Sequence, residues 1–163
     1  MTKNKKGYLS PLACWDIYSE YYHRYQQKAK VDFDLKQLGV ILKTTPELGV
    51  IDKINEEAYD ALVVTDISQK IIWVSRGFRE MTGYSKSYAI GKSPRFLQGP
   101  QTSNLTKRNI RERLALKDSF TESILNYRKN GEEYLCQIKI IPLFDPEKNL
   151  THYLAVEREL RAS

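Results

Sequence analysis

Cysteine and histidine are scarce in this chain. Its 163 residues hold two of each: Cys14, Cys136, His23 and His152. Two cysteines are too few for a disulfide framework, and no Cys/His cluster has metal-ligand spacing. No apolar run approaches the roughly 20 residues that cross a bilayer. The polar, basic residues 1–7 lead into no signal-peptide core. A soluble, cytoplasmic chain without a metal is expected. No nucleophile–base pair or carboxylate pair stands at usable spacing either, so no enzyme is expected.

What is present is globular in composition, with 41% hydrophobic and 28% charged residues. That suffices for one domain with a real core plus an appendage, and it is unlike a disordered chain. The formal charge of +6 admits nucleic acid, an anionic membrane surface or a phosphate ligand. Part of the excess sits in Lys3, Lys5 and Lys6, and the remaining Lys and Arg are interleaved with acids. Without a recognised motif or a basic stripe, nucleic-acid and membrane partners are not expected. A phosphate held by one or two arginines remains compatible with the charge.

No internal repeat or low-complexity stretch is apparent. The chain divides into a disordered basic tail over 1–9, a helical extension over 10–55 and a main domain over 56–163. Ser10 followed by Pro11 reads as a helix cap and first helical position. Leu12, Trp15, Tyr18, Tyr22 and Tyr25 then recur at helical steps, and a second helix is expected over 33–42, limited by Pro46. Such an aromatic stripe is expected to pack onto the domain or to pair with a second copy.

Beyond residue 58 the pattern changes. Strands are expected over 61–67 and 71–75 with a tight connection at Ser68-Gln69, then short helical turns over 77–84 and 86–90. A longer helix capped by Ser103 follows over 104–116. Residues 120–127, 134–143 and 151–157 read as three further strands, the first two joined at Asn130-Gly131. Tyr134, Cys136, Ile138 and Ile140 share one face. The order points to an α+β fold, a five-stranded antiparallel sheet with short helices on one face. A ligand cavity between the two layers is a natural consequence.

The residues from Gly91 to Pro100 read Gly-Lys-Ser-Pro-Arg-Phe-Leu-Gln-Gly-Pro. This stretch resembles the signature of LOV (light-oxygen-voltage) domains, the flavin-binding branch of the PAS family, whose pattern is Gly-Arg-Asn-Cys-Arg-Phe-Leu-Gln-Gly. Residues 78–84, 126–131 and 153–157 resemble the family's flanking segments, so the likeness covers about 100 residues, a typical domain size. The resemblance implies a PAS fold and a flavin mononucleotide (FMN) site. It assigns Arg95 and Arg111 to the phosphate, for which guanidinium forks are suited. It assigns Gln98 to the ribityl chain, Leu97 to an apolar wall and Asn126 to the pyrimidine edge of the ring.

The departures from the pattern are equally specific. Pro94 stands where the family's reactive cysteine belongs, and proline offers no thiol for a cysteinyl–flavin adduct. Ser93 and Cys136 replace two asparagines that contact the flavin; Ser93 is free to cap a short helix that begins at Pro94, and Cys136 is read as structural. Glu157 replaces a glutamine at the ring. Its carboxyl must be protonated, paired or turned to solvent, because a lone buried charge is costly.

Two readings stay open at this point. One is a LOV-like sensory and signalling module that binds FMN as a redox or adduct-free light sensor. The other is a ligand-free PAS module for protein interaction or dimerisation, acting in trans. The sequence stops shortly after the last expected strand, so output is expected to pass through a homodimer of the N-terminal helices or sheet face to an unidentified signalling protein.

Overall fold

The computed structural model describes residues 11–43 and 47–161, with side chains from residue 15 onward. The expected tail over 1–9, the Ser10 cap, Pro46 and the side chains of Leu12 and Cys14 lie outside the described residues. The chain divides after residue 44 into two compact units.

The first unit is one helix, α1, at Pro11–Leu42. Two helices were expected there. The intervening Gln26, Gln27, Lys28, Ala29 and Lys30 are good helix formers and include no breaker, so the helix runs through. At 3.6 residues per turn, Trp15, Ile17, Tyr18, Tyr21, Tyr22 and Tyr25 fill one arc of roughly 160°. Asp16, Ser19, Glu20, His23 and Arg24 fill the opposite arc. Further on, Val31, Leu35, Leu38 and Leu42 form a second stripe, rotated by roughly a third of a turn from the first. One helix thus carries two distinct apolar faces.

The second unit opens with α2 at Leu48–Asn55, a helix the sequence had not separated from the extension. It continues through β1 (Ala61–Asp66), β2 (Ile71–Val74), α3 (Arg76–Thr82), α4 (Lys86–Ala89) and a 3-10 helix at Pro94–Leu97. Then come α5 (Asn104–Ala115), β3 (Phe120–Tyr127), β4 (Glu133–Phe144) and β5 (Leu150–Glu159). The five strands form one sheet in the order β2-β1-β5-β4-β3, antiparallel at each of its four pairings. The expected α+β architecture, a five-stranded antiparallel sheet with short helices, is what the chain adopts.

Alternation decides which side chains face inward. On β4, Tyr134, Cys136, Ile138 and Ile140 join Ala61, Val63, Phe120 and Ile124 in the core, together with Phe78, Met81, Ala89 and Leu97 from the helical layer. Turn chemistry sets the connections. Asp66 accepts from the Ser68 hydroxyl (2.7 Å) and the Lys70 amide (2.9 Å), and Gln69 takes a left-handed conformation, φ 61°. In the β3–β4 hairpin Gly131 supplies a φ of 87°. Ser103 caps α5 as expected, accepting from the Thr106 amide at 3.3 Å.

Helices as short as α3 and α4 have little stability of their own and are held by tertiary contacts. Tyr84 stacks on Tyr88, with centroids 4.8 Å apart, and Phe96 meets both rings edge-on. Arg128 bridges to Glu159 at 2.6 Å and also donates to the Met81 carbonyl, tying the β3–β4 hairpin to α3 and β5. On the sheet's outer side, α2 and the residues after it are tethered by Lys53 to Ser119 (2.8 Å), Glu57 to Arg158 (3.0 Å) and Glu56 to Lys139.

Gly77, in the first turn of α3, lies against the backbone just before β1, where an added Cβ would lie 1.8 Å from the Asp60 carbonyl oxygen. That oxygen is backbone and cannot swing aside. Gly77→Ala is therefore expected to destabilise the domain by about 1–3 kcal/mol, as overpacking does. Chemical denaturation checks this; an unchanged midpoint would show that α3 can move away from β1 freely.

Candidate functional site

Between the inner face of the sheet and the helical layer lies a cavity of about 320 Å³, within the size range of small-molecule sites. Val63, Ile124, Ile138, Ile140, Ala155 and Tyr153 line it from the sheet. Pro94, Leu97, Ile110 and Leu114 close it from the helical side. The walls are thus largely apolar, and polar groups enter in two separate places.

The first place is cationic. Arg95 from the 3-10 helix and Lys107 and Arg111 from α5 all line the cavity. Lys107 and Arg111 are one helical turn apart and so share a face of α5. Arg95 and Arg111 are exposed, which places the cavity's mouth at their side. Arg95 bonds the Gln69 amide oxygen at 3.4 Å, and Lys107 bonds Asn104 at 3.4 Å. No salt bridge among the described residues involves any of the three.

The second place is polar and dry. Asn126 and Glu157 line the cavity and are each 5% exposed. β5 is the central strand, and Glu157 lies between Ala61 of β1 and Ile138 of β4. Neither neighbour has a side-chain donor. The Glu157 Oε2 atom has no hydrogen-bond partner. Burial pushes the carboxyl's pKa up to about 8, so at neutral pH it holds its proton. Of the three alternatives open for Glu157, burial with Oε2 unpartnered favours the protonated one. Arg158 points to the other side of the sheet, to Glu57 at 3.0 Å and Gln137 at 2.9 Å. The Tyr134 hydroxyl lies beside the Asn126 amide but outside hydrogen-bonding geometry, and burial raises its pKa.

The segment after the 3-10 helix is pinned to β3, and this fixes Gln98 in the wall. The Gly99 amide donates to the Thr102 hydroxyl (2.9 Å), which donates to the Leu125 carbonyl (2.7 Å). The Gln101 amide donates to the Tyr127 hydroxyl at 3.0 Å. A Cβ on Gly99 would lie 2.3 Å from the Tyr127 ring, so this approach requires glycine.

Eight of the nine residues singled out from sequence line the one cavity: Ser93, Pro94, Arg95, Leu97, Gln98, Arg111, Asn126 and Glu157. Cys136 is fully buried in the core but is not part of the lining, and burial raises its thiol pKa. Among the described residues no cysteine lines the cavity. Ser93 does not cap as expected. Its backbone carbonyl, not its hydroxyl, accepts the Phe96 amide, at 3.2 Å, in the tight hydrogen bonding of a 3-10 turn. Lys107 was missed; its i, i+4 spacing to Arg111 was the available signal. Gln69 and Tyr153 were missed as well, and only the folded chain brings them to the site.

A flavin nucleotide fits these features. The apolar walls suit a flat aromatic ring, the cationic mouth suits a phosphate, and Glu157 offers an unsatisfied polar atom at the inner end. Arg95, Lys107 and Arg111 would hold the phosphate, with Gln98 along the chain and Asn126 and Glu157 at the ring.

Comparisons with known proteins agree with the architecture. The family model described as PAS domain matches residues 59–162. The chain belongs to the PAS domain family. More particularly, its relatives include LOV domains. A solved structure of the dark state of the blue-light photoreceptor Aureochrome1 LOV superposes with a TM-score of 0.65 at 30% identity, covering 71% of this chain and 86% of that one. A blue-light photoreceptor of Listeria innocua is 32% identical over 118 residues, 71% of this chain and 46% of the relative. A nitrogen fixation regulatory protein of Klebsiella oxytoca is 30% identical, over 71% of this chain and 23% of its own length. The chain spans less than half the length of these two relatives.

The buried carboxyl has a consequence for stability. Glu157 titrates near 4.5 when unperturbed and near 8 in the fold. Between those values the native state binds the extra proton, so its contribution to stability falls as pH rises, levelling off above about 8. The melting temperature of Glu157→Gln relative to wild type is expected to climb between about pH 5 and about pH 8. His152, held below its usual pKa by burial, acts in the opposite sense but cancels in the comparison. Parallel melting curves across that range would contradict a protonated Glu157.

Proposed function

We propose that this chain is a LOV-type sensory and signalling module that holds flavin mononucleotide without a covalent bond and works without a cysteinyl adduct. The observation that carries this reading is the two-ended cavity: unpaired cations at the mouth, apolar walls, and two buried polar side chains at the inner end. Pro94 lines that cavity where the family pattern has its reactive cysteine, and among the described residues no thiol lines the cavity to replace it. Bound flavin would supply blue absorption and reversible electron uptake. The chain's own residues bind the phosphate through Arg95, Lys107 and Arg111, orient the ring through Asn126 and Glu157, and exclude water with Leu97, Ile110 and Ile138. A redox or adduct-free light response fits this arrangement. The names of the relatives, a photoreceptor and a regulatory protein, fit a signalling role.

The aromatic arc of α1 supplies the second part of the reading, a homodimer. Trp15, Tyr18, Tyr21 and Tyr25 are each more than 60% exposed. A second copy presenting the same arc would cover them in a self-complementary interface. Leu62, Val64 and Leu154 on the sheet's outer face are fully buried, so they add no open surface for a second copy. A ligand-free interaction module would need the α1 arc alone.

Two experiments separate these parts. Purified protein mixed with flavin mononucleotide is expected to retain a structured blue absorption band, with no adduct band forming under illumination. Arg95→Ala and Arg111→Ala should each weaken binding about 10–100-fold, the worth of a charge-assisted hydrogen bond. Neither should affect riboflavin, which lacks the phosphate. A protein that ignores added flavin would leave the interaction module. For the dimer, light scattering should give twice the chain mass for wild type and the monomer mass for Tyr18→Glu/Tyr22→Glu. A monomeric wild type at high concentration would contradict it.

A further inference from the structure

We propose that Glu157 meets the ligand as a neutral carboxylic acid donating a hydrogen bond to an acceptor on the ring edge, so that protonation of this one side chain is a condition for tight binding. The inference rests on the flavin reading and assigns a role to a residue that departs from the family pattern.

The geometry leaves the carboxyl no other use. Glu157 is 5% exposed, lines the cavity, and has an Oε2 atom without a partner. Its strand neighbours Ala61 and Ile138 are apolar. From β4 it is faced by Tyr134 and Cys136, whose hydroxyl and thiol are both raised in pKa by burial and so stay neutral. From β3, the register through Ile138 places Glu122 on the same face, its Oε1 accepting from the Ser123 amide at 3.3 Å, while Asn126, which does not titrate, lies further along that strand. Just before β1, Asp60 engages the backbone, its Oδ2 accepting from the Glu159 amide at 2.7 Å. Tyr153, on β5 itself, donates to the Leu114 carbonyl at 3.1 Å. Arg128 of the β3–β4 hairpin, Lys139 of β4 and Arg158 of β5 are committed elsewhere, to Glu159, Glu56 and Glu57. Arg95, Lys107 and Arg111 enter from the helical layer. Glu157 itself lines the cavity, which is the free space on its side of the sheet.

The chemistry of the two side chains then differs in kind. An amide at this position donates and accepts at any pH. A carboxyl donates only while protonated, and once ionised it is an acceptor alone. A ring edge that needs a donor, such as a heteroaromatic nitrogen or a carbonyl, binds the protonated form. Facing such an acceptor, the ionised form adds repulsion to the loss of the bond. With one proton linked to binding, affinity falls about tenfold per pH unit above the carboxyl's pKa.

The test uses the full chain and flavin mononucleotide, followed by quenching of flavin fluorescence from about pH 6.5 to about pH 9.5 in wild type and Glu157→Gln. The dissociation constant of the wild type is expected to be flat to about pH 8 and then to rise about tenfold per unit. Glu157→Gln should bind with no such rise, and the ratio of the two constants removes any titration of the flavin itself. Parallel profiles, or wild-type binding that tightens with pH, would overturn the inference while leaving flavin binding intact. No binding by either protein at any pH would overturn the flavin reading and this inference with it.

Discussion

Much of this domain turns on placing an ionisable group in the middle of its sheet. β5 is the central strand, and Glu157 stands on its inner face between two strands whose facing residues are apolar. A charge there without a partner would cost more than the fold can spare, so the group keeps its proton. A neutral carboxyl is tolerable, but its hydrogen-bonding capacity is still unmet. The domain therefore contains a polar demand that none of its described side chains satisfies. That demand sits at the inner end of the same cavity whose mouth carries unpaired positive charge.

The cavity itself follows from the helical layer. α3, α4 and the 3-10 helix are four to seven residues each, too short to lay a continuous apolar stripe along the strands. They pack instead through the Tyr84, Tyr88 and Phe96 cluster at one end and through Gly99 against Tyr127 at the other. The space between these two anchored ends is left open. The same anchoring fixes Arg95 and Gln98, since both belong to the segment held at its two ends. Binding residues are thus set by contacts remote from any ligand.

Much of this was legible in the sequence because it depends on local rules. Period-two alternation located the strands, and Asn130-Gly131 located the β3–β4 turn. Arg95, Leu97 and Gln98, singled out in the signature segment, all line the cavity. What was not legible depends on competition between distant parts. The continuity of α1 was hidden because its two apolar stripes are rotated against each other, so the pattern breaks where the backbone does not. The Ser93 cap failed because a four-residue 3-10 helix satisfies its amide through the backbone. Cys136 aligns with a ligand position but stays within the core, and Lys107 reaches the cavity only because α5 turns that face inward. The protonation of Glu157 required knowing what surrounds it on three strands.

The protonated carboxyl can be observed directly, without any ligand. The infrared spectrum of the protein in heavy water near neutral pH, compared with that of Glu157→Gln, is the most immediate measurement. The account predicts a carbonyl band of a protonated, buried carboxylic acid in the wild type that is absent from the variant and fades as the pH is taken above about 8. If the wild type shows only ionised carboxylates at neutral pH, Glu157 has found a partner or solvent, and the account of the cavity's inner end is wrong.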